Sequence, residues 1–215
     1  MIVTEITEQR PFLFREDVSR DRTKPHVSGL IRQHILDTDP KKSYPEWEDM
    51  TAEERRDTLM AWELGFMWED ALAREFAGRC SGIPAAPREV DGIIMTPDRL
   101  WLPDKEEPVR VPENGDMIEI DEYKATKYSM KNMPENNMRW MMQTKSYCYG
   151  FKTTVANMLI LYIMGDYGTT TRGMTYKAFR FEFSAQELAE NWAVMLALKE
   201  KWYLAHEEQD HSMDG

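Results

Sequence analysis

Cysteine is scarce in this 215-residue chain, which contains only Cys80 and Cys148. Two cysteines exclude a disulfide framework and are too few for a four-cysteine zinc site or an iron–sulfur cluster. Such low usage is typical of a reducing compartment, so we expect a cytoplasmic protein. Long apolar runs are also missing: residues 158–164 form the longest, far short of the about 20 that a membrane-spanning helix needs. The first residues show no secretory signal pattern, and we expect no membrane partner.

Basic residues are also fewer than acidic ones. The chain has 27 Lys and Arg against 38 Asp and Glu, a net charge of -11. This balance argues against a nucleic-acid partner, because phosphate binding usually depends on basic residues. The distribution is uneven, however: residues 121–183 contain nine Lys or Arg against five Asp or Glu, a local excess of positive charge. We attribute most of the acidity elsewhere to solubility, and composition leaves the partner open.

The patterns that are present are typical of an α/β protein. Two capping boxes, Thr51-Ala-Glu-Glu54 and Ser184-Ala-Gln-Glu187, predict helix starts, because the first side chain caps the helix and the Glu reaches back. These helices are expected to end near residues 77 and 206, and two further helices are predicted at 27–36 and 134–150. Alternating or continuous apolar residues predict strands at 90–95, 99–102, 116–124, 156–164 and 174–183.

The order of these elements predicts an α/β fold with a central mixed β-sheet flanked by helices. The length suits a single domain over residues 1–215. Within it, residues 1–50 are expected to form an N-terminal helical extension, and residues 207–215 a flexible acidic tail.

Three acidic residues stand where apolar ones are expected. Glu122 shares a strand face with Lys124 and two isoleucines, and charges on such a face are costly unless they serve a metal or each other. Glu69 falls on the apolar stripe of its helix, and Asp91 interrupts an apolar strand. The structural alternatives are a salt bridge for the first, a boundary residue reaching water for the second and an Asp-Gly turn for the third.

In this order the residues resemble the PD-(D/E)XK nuclease superfamily, and within it the RecB-like and phage-type exonucleases. The helix motif of that branch is similar to Gly65-Phe-Met-Trp-Glu69, and its first strand motif to Glu89-Val-Asp91. Its acidic-x-Lys motif is similar to Glu122-Tyr-Lys124, and its next helix motif to Gln143-Thr-Lys-Ser-Tyr147. Two departures are the Glu where the branch often has His, and the lack of cysteines for the iron–sulfur cluster that some relatives carry.

The resemblance implies a restriction-endonuclease-like core and a Mg²⁺-dependent deoxyribonuclease, for which Mn²⁺ also fits, without an iron–sulfur cluster. It implies exonuclease action in recombination, repair or phage DNA processing. Asp91 and Glu122 would bind the cation, with Glu69 as a direct or water-bridged ligand and the backbone carbonyl of Tyr123 as a further donor. Lys124 would position the attacking water.

Further residues follow from the same resemblance. Gln143 and Tyr147 share one helical face and are expected to orient the catalytic lysine and contact the DNA backbone, while Lys127 and Lys145 are expected to meet phosphates. Apart from the resemblance, the aromatic rings of Tyr128, Trp140 and Tyr149 are candidates for stacking on unpaired bases, with core packing as the alternative, above all for Trp140.

Several alternatives stay open at this point. Asp98, in Thr96-Pro97-Asp98, competes with Asp91 as the first strand acid. Single- and double-stranded DNA both remain partners, RNA is a further option, and a homo-oligomer is compatible with the resemblance. The alternative function is a non-catalytic nucleic-acid- or protein-binding module that retains the nuclease fold.

Overall fold

The computed structural model describes residues 24–38, 49–76, 83–84, 86–101, 117–164 and 173–212. The helices in this part of the chain are α1 Val27–Thr38, α2 Ala52–Phe76, α3 Met138–Phe151 and α4 Ala185–Ser212. The strands are β1 Ile83–Pro84, β2 Arg88–Val90, β3 Ile93–Met95, β4 Arg99–Trp101, β5 Glu119–Thr126, β6 Val155–Tyr162 and β7 Thr175–Glu182. None of the described helices combines the length and the apolar character that crossing a membrane requires.

A five-stranded sheet in the order β1-β4-β5-β6-β7 forms the centre of the fold. Strands β5 and β6 run parallel, and every other neighbouring pair is antiparallel. A parallel pair needs a long crossover between its strands, and α3 supplies it. The predicted mixed sheet flanked by helices is therefore confirmed.

The two faces of the sheet pack against different helices. On one face, Ile120 of β5 lies in the main core with Met142 of α3 and Trp192 of α4. On the other face, Tyr123 of β5 packs with Leu72 of α2. Because side chains alternate along a strand, the even-numbered residues of β5 face α3, and the odd-numbered ones lie on the α2 side.

The predicted helix starts are confirmed by their capping hydrogen bonds. The Thr51 N–H donates to Glu54 Oε2 at 2.8 Å, and the Glu54 N–H donates to Thr51 Oγ1 at 3.2 Å. Ser184 and Glu187 form the same pair of bonds at 2.9 and 3.2 Å. Helix α4 continues to Ser212, so residues 207–212 of the predicted tail are helical, and residues 213–215 lie outside the described part. Of the predicted N-terminal extension, 1–23 and 39–48 also lie outside it.

The strand predicted at 90–95 is in fact a hairpin. Strands β2 and β3 pair with each other as a separate two-stranded sheet, joined by Asp91 at φ 49° and Gly92 at φ 79°. Positive φ at both central residues is the type I′ geometry, which favours Asp-Gly. The short strand β1 was not predicted, because two residues carry no periodic pattern.

The helix predicted at 134–150 begins later, at Met138. A 3₁₀ turn occupies Pro134–Asn136, and Asn137 then caps α3 by accepting a 3.2 Å hydrogen bond from the Trp140 N–H. Asn is among the best N-cap residues, since its side-chain oxygen satisfies an otherwise unpaired backbone donor. This cap places the first turns of α3 at the carboxyl end of β5.

Candidate active site

Strand β5 presents a buried ion pair toward α3. Glu122 is completely buried, and its Oε2 accepts a 2.6 Å hydrogen bond from Nζ of Lys124. Lys124 is itself only 15% exposed. The second carboxylate oxygen, Glu122 Oε1, has no hydrogen-bond partner in the part of the chain that the structure describes. Leaving such an oxygen unsatisfied in a buried site is costly. The Asp98 backbone offsets part of this cost, because it stabilises the charged carboxyl and lowers its pKa, and the oxygen is a candidate ligand for a cation.

Asp98 joins this pair from the neighbouring strand. In the antiparallel register of β4 and β5, Arg99 lies opposite Asp121, so the residue before Arg99 lies beside the residue after Asp121. Asp98 is therefore next to Glu122. Its Oδ2 accepts a 2.6 Å hydrogen bond from the backbone N–H of Tyr123, which ties this carboxylate to the centre of β5.

The third predicted acid, Glu69, lies on helix α2. The helix docks on the sheet through Leu72, which packs with Tyr123, and through Trp68, whose Nε1–H donates to the Leu159 carbonyl at 3.3 Å. Glu69 lies one turn before Leu72 and so shares its side of the helix. Helix α2 lies on the face of β5 opposite to Glu122, and the charge of Glu69 is the weakest of the influences that raise the pKa of the Lys124 ammonium.

The electrostatics of the site favour additional positive charge. Burial, followed by the charge of Asp98, raises the pKa of Glu122 to about 8 despite the opposing effect of Lys124. Burial also raises the pKa of Asp98. Burial alone lowers the pKa of Lys124, but the nearby carboxylates outweigh it and the net shift is upward. A single ammonium does not neutralise both the Glu122 and the Asp98 carboxylates, so the site gains from binding a proton or a cation.

The structure places Asp91 elsewhere, which corrects its prediction as the first strand acid. Its carboxylate accepts a 2.9 Å hydrogen bond from Nε1 of Trp192, and its backbone carbonyl accepts one from Lys199 at 3.1 Å. The Asp-Gly turn takes Asp91 out of the strand and onto α4. Asp98 is the acid beside Glu122, and the Pro-Asp pair was the sequence signal for it.

The donor set fits a hard divalent cation. Glu122 Oε1 and the Asp98 carboxylate supply oxygen atoms, the ligand type that Mg²⁺ and Mn²⁺ prefer. The described residues contain no group of three or more His, Cys, Asp or Glu arranged to hold a metal ion by themselves. A cation here would thus complete its coordination with water or substrate, as Mg²⁺ commonly does.

Comparisons with known proteins bear on the fold. No family model and no curated protein matches the chain. Among solved structures, an alkaline exonuclease from Laribacter hongkongensis is similar at 12% identity, covering 89% of this chain and 93% of that one with a TM-score of 0.50. The fold of this chain is therefore similar to that of the Laribacter protein.

Two further structures are similar at lower scores. The same Laribacter exonuclease in complex with dAMP has a TM-score of 0.48 at 12% identity, covering 89% of this chain and 93% of that one. A phage related exonuclease from Haemophilus somnus 129PT has a TM-score of 0.47 at 11% identity, covering 85% and 82%.

Helix α3 packs on the face of β5 that holds Glu122 and Lys124. The side-chain amide of Gln143 donates to the Tyr147 hydroxyl at 2.9 Å, so the two residues share a helical face as expected. Tyr147 is only 4% exposed and belongs to the main core. A ring that is this deeply buried argues against the predicted contact of Tyr147 with DNA, whereas Gln143 is half-buried.

The two lysines that are predicted to contact phosphates, Lys127 and Lys145, differ in their surroundings. Lys127 is exposed directly after β5. The ammonium of Lys145 lies 3.7 Å from Glu187 and 5.5 Å above the ring of Phe183. Lys145 therefore joins α3 to the start of α4, and this engagement argues against its predicted contact with phosphate.

A second polar cluster, which was not predicted, lies on the opposite face of the sheet. The Asn157 amide donates to Glu119 at 2.8 Å and to Asp121 at 3.0 Å, and Arg180 pairs with Glu119 at 2.6 Å. Burial raises the pKa of Asp121 to about 6. The cluster joins β5, β6 and β7 behind the candidate site, and its only sequence signal was the alternation of acids along β5.

Proposed function

We propose that this protein is a divalent-metal-dependent nuclease that hydrolyses phosphodiester bonds in DNA, acting as an exonuclease. The observation that carries the proposal is the buried Glu122 next to Asp98: its Oε2 accepts a hydrogen bond from Lys124, and its Oε1 has no partner among the described residues. A fold alone supports many functions, so the argument rests on this site. The exonuclease-like fold agrees with it.

The metal would be held mainly by Glu122 and Asp98. Glu69 would act directly or through a water, and the backbone carbonyl of Tyr123, which lies between the two functional side chains of β5, would be a further donor. When bound, Mg²⁺ or Mn²⁺ lowers the pKa of a coordinated water and offsets charge on the phosphate. All donors are oxygens, and an iron–sulfur cluster has no role.

The residues of the chain would position the reacting groups. Lys124, fixed by its hydrogen bond to Glu122, orients the water that attacks phosphorus and stabilises the negative charge that grows on the phosphate oxygens. The attack forms a bond from the water oxygen to phosphorus and breaks the bond to the leaving sugar oxygen. Gln143, held by Tyr147, supports the substrate side of the site.

DNA is the proposed substrate because the stretch around the site is basic. Residues 124–152 contain six Lys or Arg and a single acid, Glu135, in a chain with a net charge of -11. This local excess gives phosphates a surface to approach. One similar exonuclease has been solved with dAMP. We extend the proposal to a cytoplasmic enzyme of recombination, repair or phage DNA processing, with homo-oligomerisation open.

The test is a panel of end-labelled linear, circular, single-stranded and flapped DNAs with Mg²⁺, Mn²⁺ or EDTA. We expect linear DNA to be degraded from its ends only with a metal, and circular DNA to persist. Lys124→Ala and Asp98→Asn, both checked for folding by circular dichroism, should each lower the rate of hydrolysis by about 100-fold or more. Degradation in EDTA, or full activity in both variants, contradicts the proposal.

A non-catalytic nucleic-acid- or protein-binding module is the second candidate. The observation that favours it is that Lys124 already neutralises one oxygen of Glu122, while the described residues contain no three-ligand metal group. Calorimetric titration with Mn²⁺ separates the two. Metal binding that disappears in Asp98→Asn supports the enzyme, whereas DNA binding without hydrolysis under either ion supports the module.

A further inference from the structure

An exposed aromatic ring lies just beyond β5, the strand that carries Glu122 and Lys124. Tyr128 is 49% exposed and sits in the turn after β5, four residues beyond Lys124. Its ring centroid is 6.3 Å from that of Trp140, with the two planes tilted by 51°. Trp140 is half-buried and packs on the core cluster that includes Met158 and Ile160. Trp140 thus supports one side of Tyr128, while half of the tyrosine remains open to solvent.

The turn that carries Tyr128 continues the face of the sheet that holds the site. Thr126 shares that face with Glu122 and Lys124 by strand alternation, and its Oγ1 accepts a 3.1 Å hydrogen bond from the Tyr128 N–H. Trp140 precedes Gln143 by three residues, so both lie on one side of α3. The aromatic pair therefore stands at the carboxyl ends of the parallel strands, where open α/β sheets bind ligands.

The chain around the pair is positively charged. Residues 127–139 contain Lys127, Lys131 and Arg139 against the single acid Glu135. An exposed ring with cationic neighbours suits a ligand that is both flat and negatively charged. A nucleic acid strand has both properties, because each nucleotide carries a π-face and a phosphate.

We propose that Tyr128, supported by Trp140, stacks on an unpaired base of the strand that enters the site. This inference rests on the proposed nuclease function and narrows its substrate to nucleic acid ends with unpaired nucleotides. A base inside a duplex is covered by its neighbours on both sides, so an aromatic ring reaches only a terminal or unpaired one. The site should therefore prefer single-stranded or tailed ends to blunt duplex.

The experiment measures binding without chemistry. In EDTA, fluorescence anisotropy compares a labelled twelve-nucleotide thymidine strand with a labelled blunt duplex, using the full-length chain. Tyr128→Ala should weaken binding of the single strand about tenfold, within the range that alanine substitution of stacking residues gives. Binding of blunt duplex should be unchanged. Tyr128→Phe keeps the ring and should retain wild-type affinity for the single strand.

Tyr176 provides a matched control. It is 48% exposed, its ring lies 5.5 Å from Trp68, and the two planes are tilted by 58°. It packs with α2, on the opposite face of the sheet. Tyr176→Ala should therefore leave both affinities unchanged. An equal loss in Tyr176→Ala and Tyr128→Ala overturns the proposal, as does single-strand binding that Tyr128→Ala leaves intact, an outcome that points to a protein-contact surface.

The outcomes also separate this inference from the proposed function. If the wild type hydrolyses DNA and Tyr128→Ala keeps the same preference for tailed ends, stacking is wrong and the nuclease stands. If no DNA is hydrolysed with either metal while Tyr128→Ala loses single-strand binding, the nuclease is wrong and the stacking site stands.

Discussion

Asp98 and Tyr123 are joined by a 2.6 Å hydrogen bond from the backbone N–H of the tyrosine to the carboxylate. This bond attaches Asp98, which directly precedes β4, to the middle of β5. Its donor, Tyr123, lies between Glu122 and Lys124. The bond explains how a residue just ahead of its own strand reaches the candidate site. Substituting Asp98 and Asp91 in turn therefore tests which of the two aspartates is the acid of the candidate site.

Asp98→Asn should lower the rate of DNA hydrolysis by about 100-fold or more, the loss common when a charge-stabilising group is removed. Asp91→Asn should retain nearly full activity, because Asn-Gly also suits a type I′ turn. The matched pair is assayed as kcat/KM on linear duplex, with folding checked by circular dichroism. A larger loss in Asp91→Asn than in Asp98→Asn would restore the original assignment.

Divalent metal should stabilise the folded chain through the same carboxylates. An ion present at about 100 times its dissociation constant adds about 2.7 kcal/mol to the free energy of unfolding. For a protein of this size, that raises Tm by roughly 5–10 °C. Differential scanning fluorimetry with Mn²⁺ should show this rise in the wild type and in Asp91→Asn. Asp98→Asn and Glu122→Gln should lack it, and an undiminished rise in both contradicts the ligand assignment.

The buried carboxyl of Glu122 predicts a pH dependence of stability in EDTA. Its pKa is raised from 4.5 to about 8 in the folded chain, so the folded state holds a proton that the unfolded state releases at lower pH. The contribution of Glu122 to the free energy of unfolding is fully present below its pKa in the unfolded chain, 4.5, and is lost as the pH rises through its folded pKa of about 8. Urea unfolding between pH 5 and 9 should show that, as the pH rises, the free energy of unfolding of the wild type falls relative to that of Glu122→Gln. A difference that stays constant with pH argues against a protonated carboxyl.

In the polar cluster behind the site, the half-buried donor Asn157 should contribute more to the free energy of unfolding than the exposed donor Arg180. Asn157→Ala removes the donor to Glu119 and Asp121, and a buried acceptor left unsatisfied costs about 1–3 kcal/mol. Arg180 is 51% exposed, so Arg180→Ala should cost less, about 0.2–1 kcal/mol. Chemical denaturation measures the loss of unfolding free energy in each variant. A larger loss in Arg180→Ala than in Asn157→Ala would show that the ion pair between Arg180 and Glu119 dominates.

Local sequence patterns predicted most of the elements and one half of the site. The capping boxes at Thr51 and Ser184 specify helix starts from four consecutive residues, and alternation along β5 places Glu122 and Lys124 on one face. These inferences hold because they depend on the backbone period and on hydrogen bonds within one turn. The positions of Glu122 and Lys124 therefore needed no knowledge of the rest of the chain.

Only the tertiary structure decided which aspartate joins them. The local pattern favours Asp91, which interrupts an apolar stretch, over Asp98, which follows Pro97 just before a strand. The outcome depends instead on a hairpin turn and on the register between β4 and β5. Burial of Tyr147 and engagement of Lys145 with Glu187 were likewise decided by packing between elements. Register and packing come from contacts between residues far apart in the chain, and no local pattern records which segments will meet.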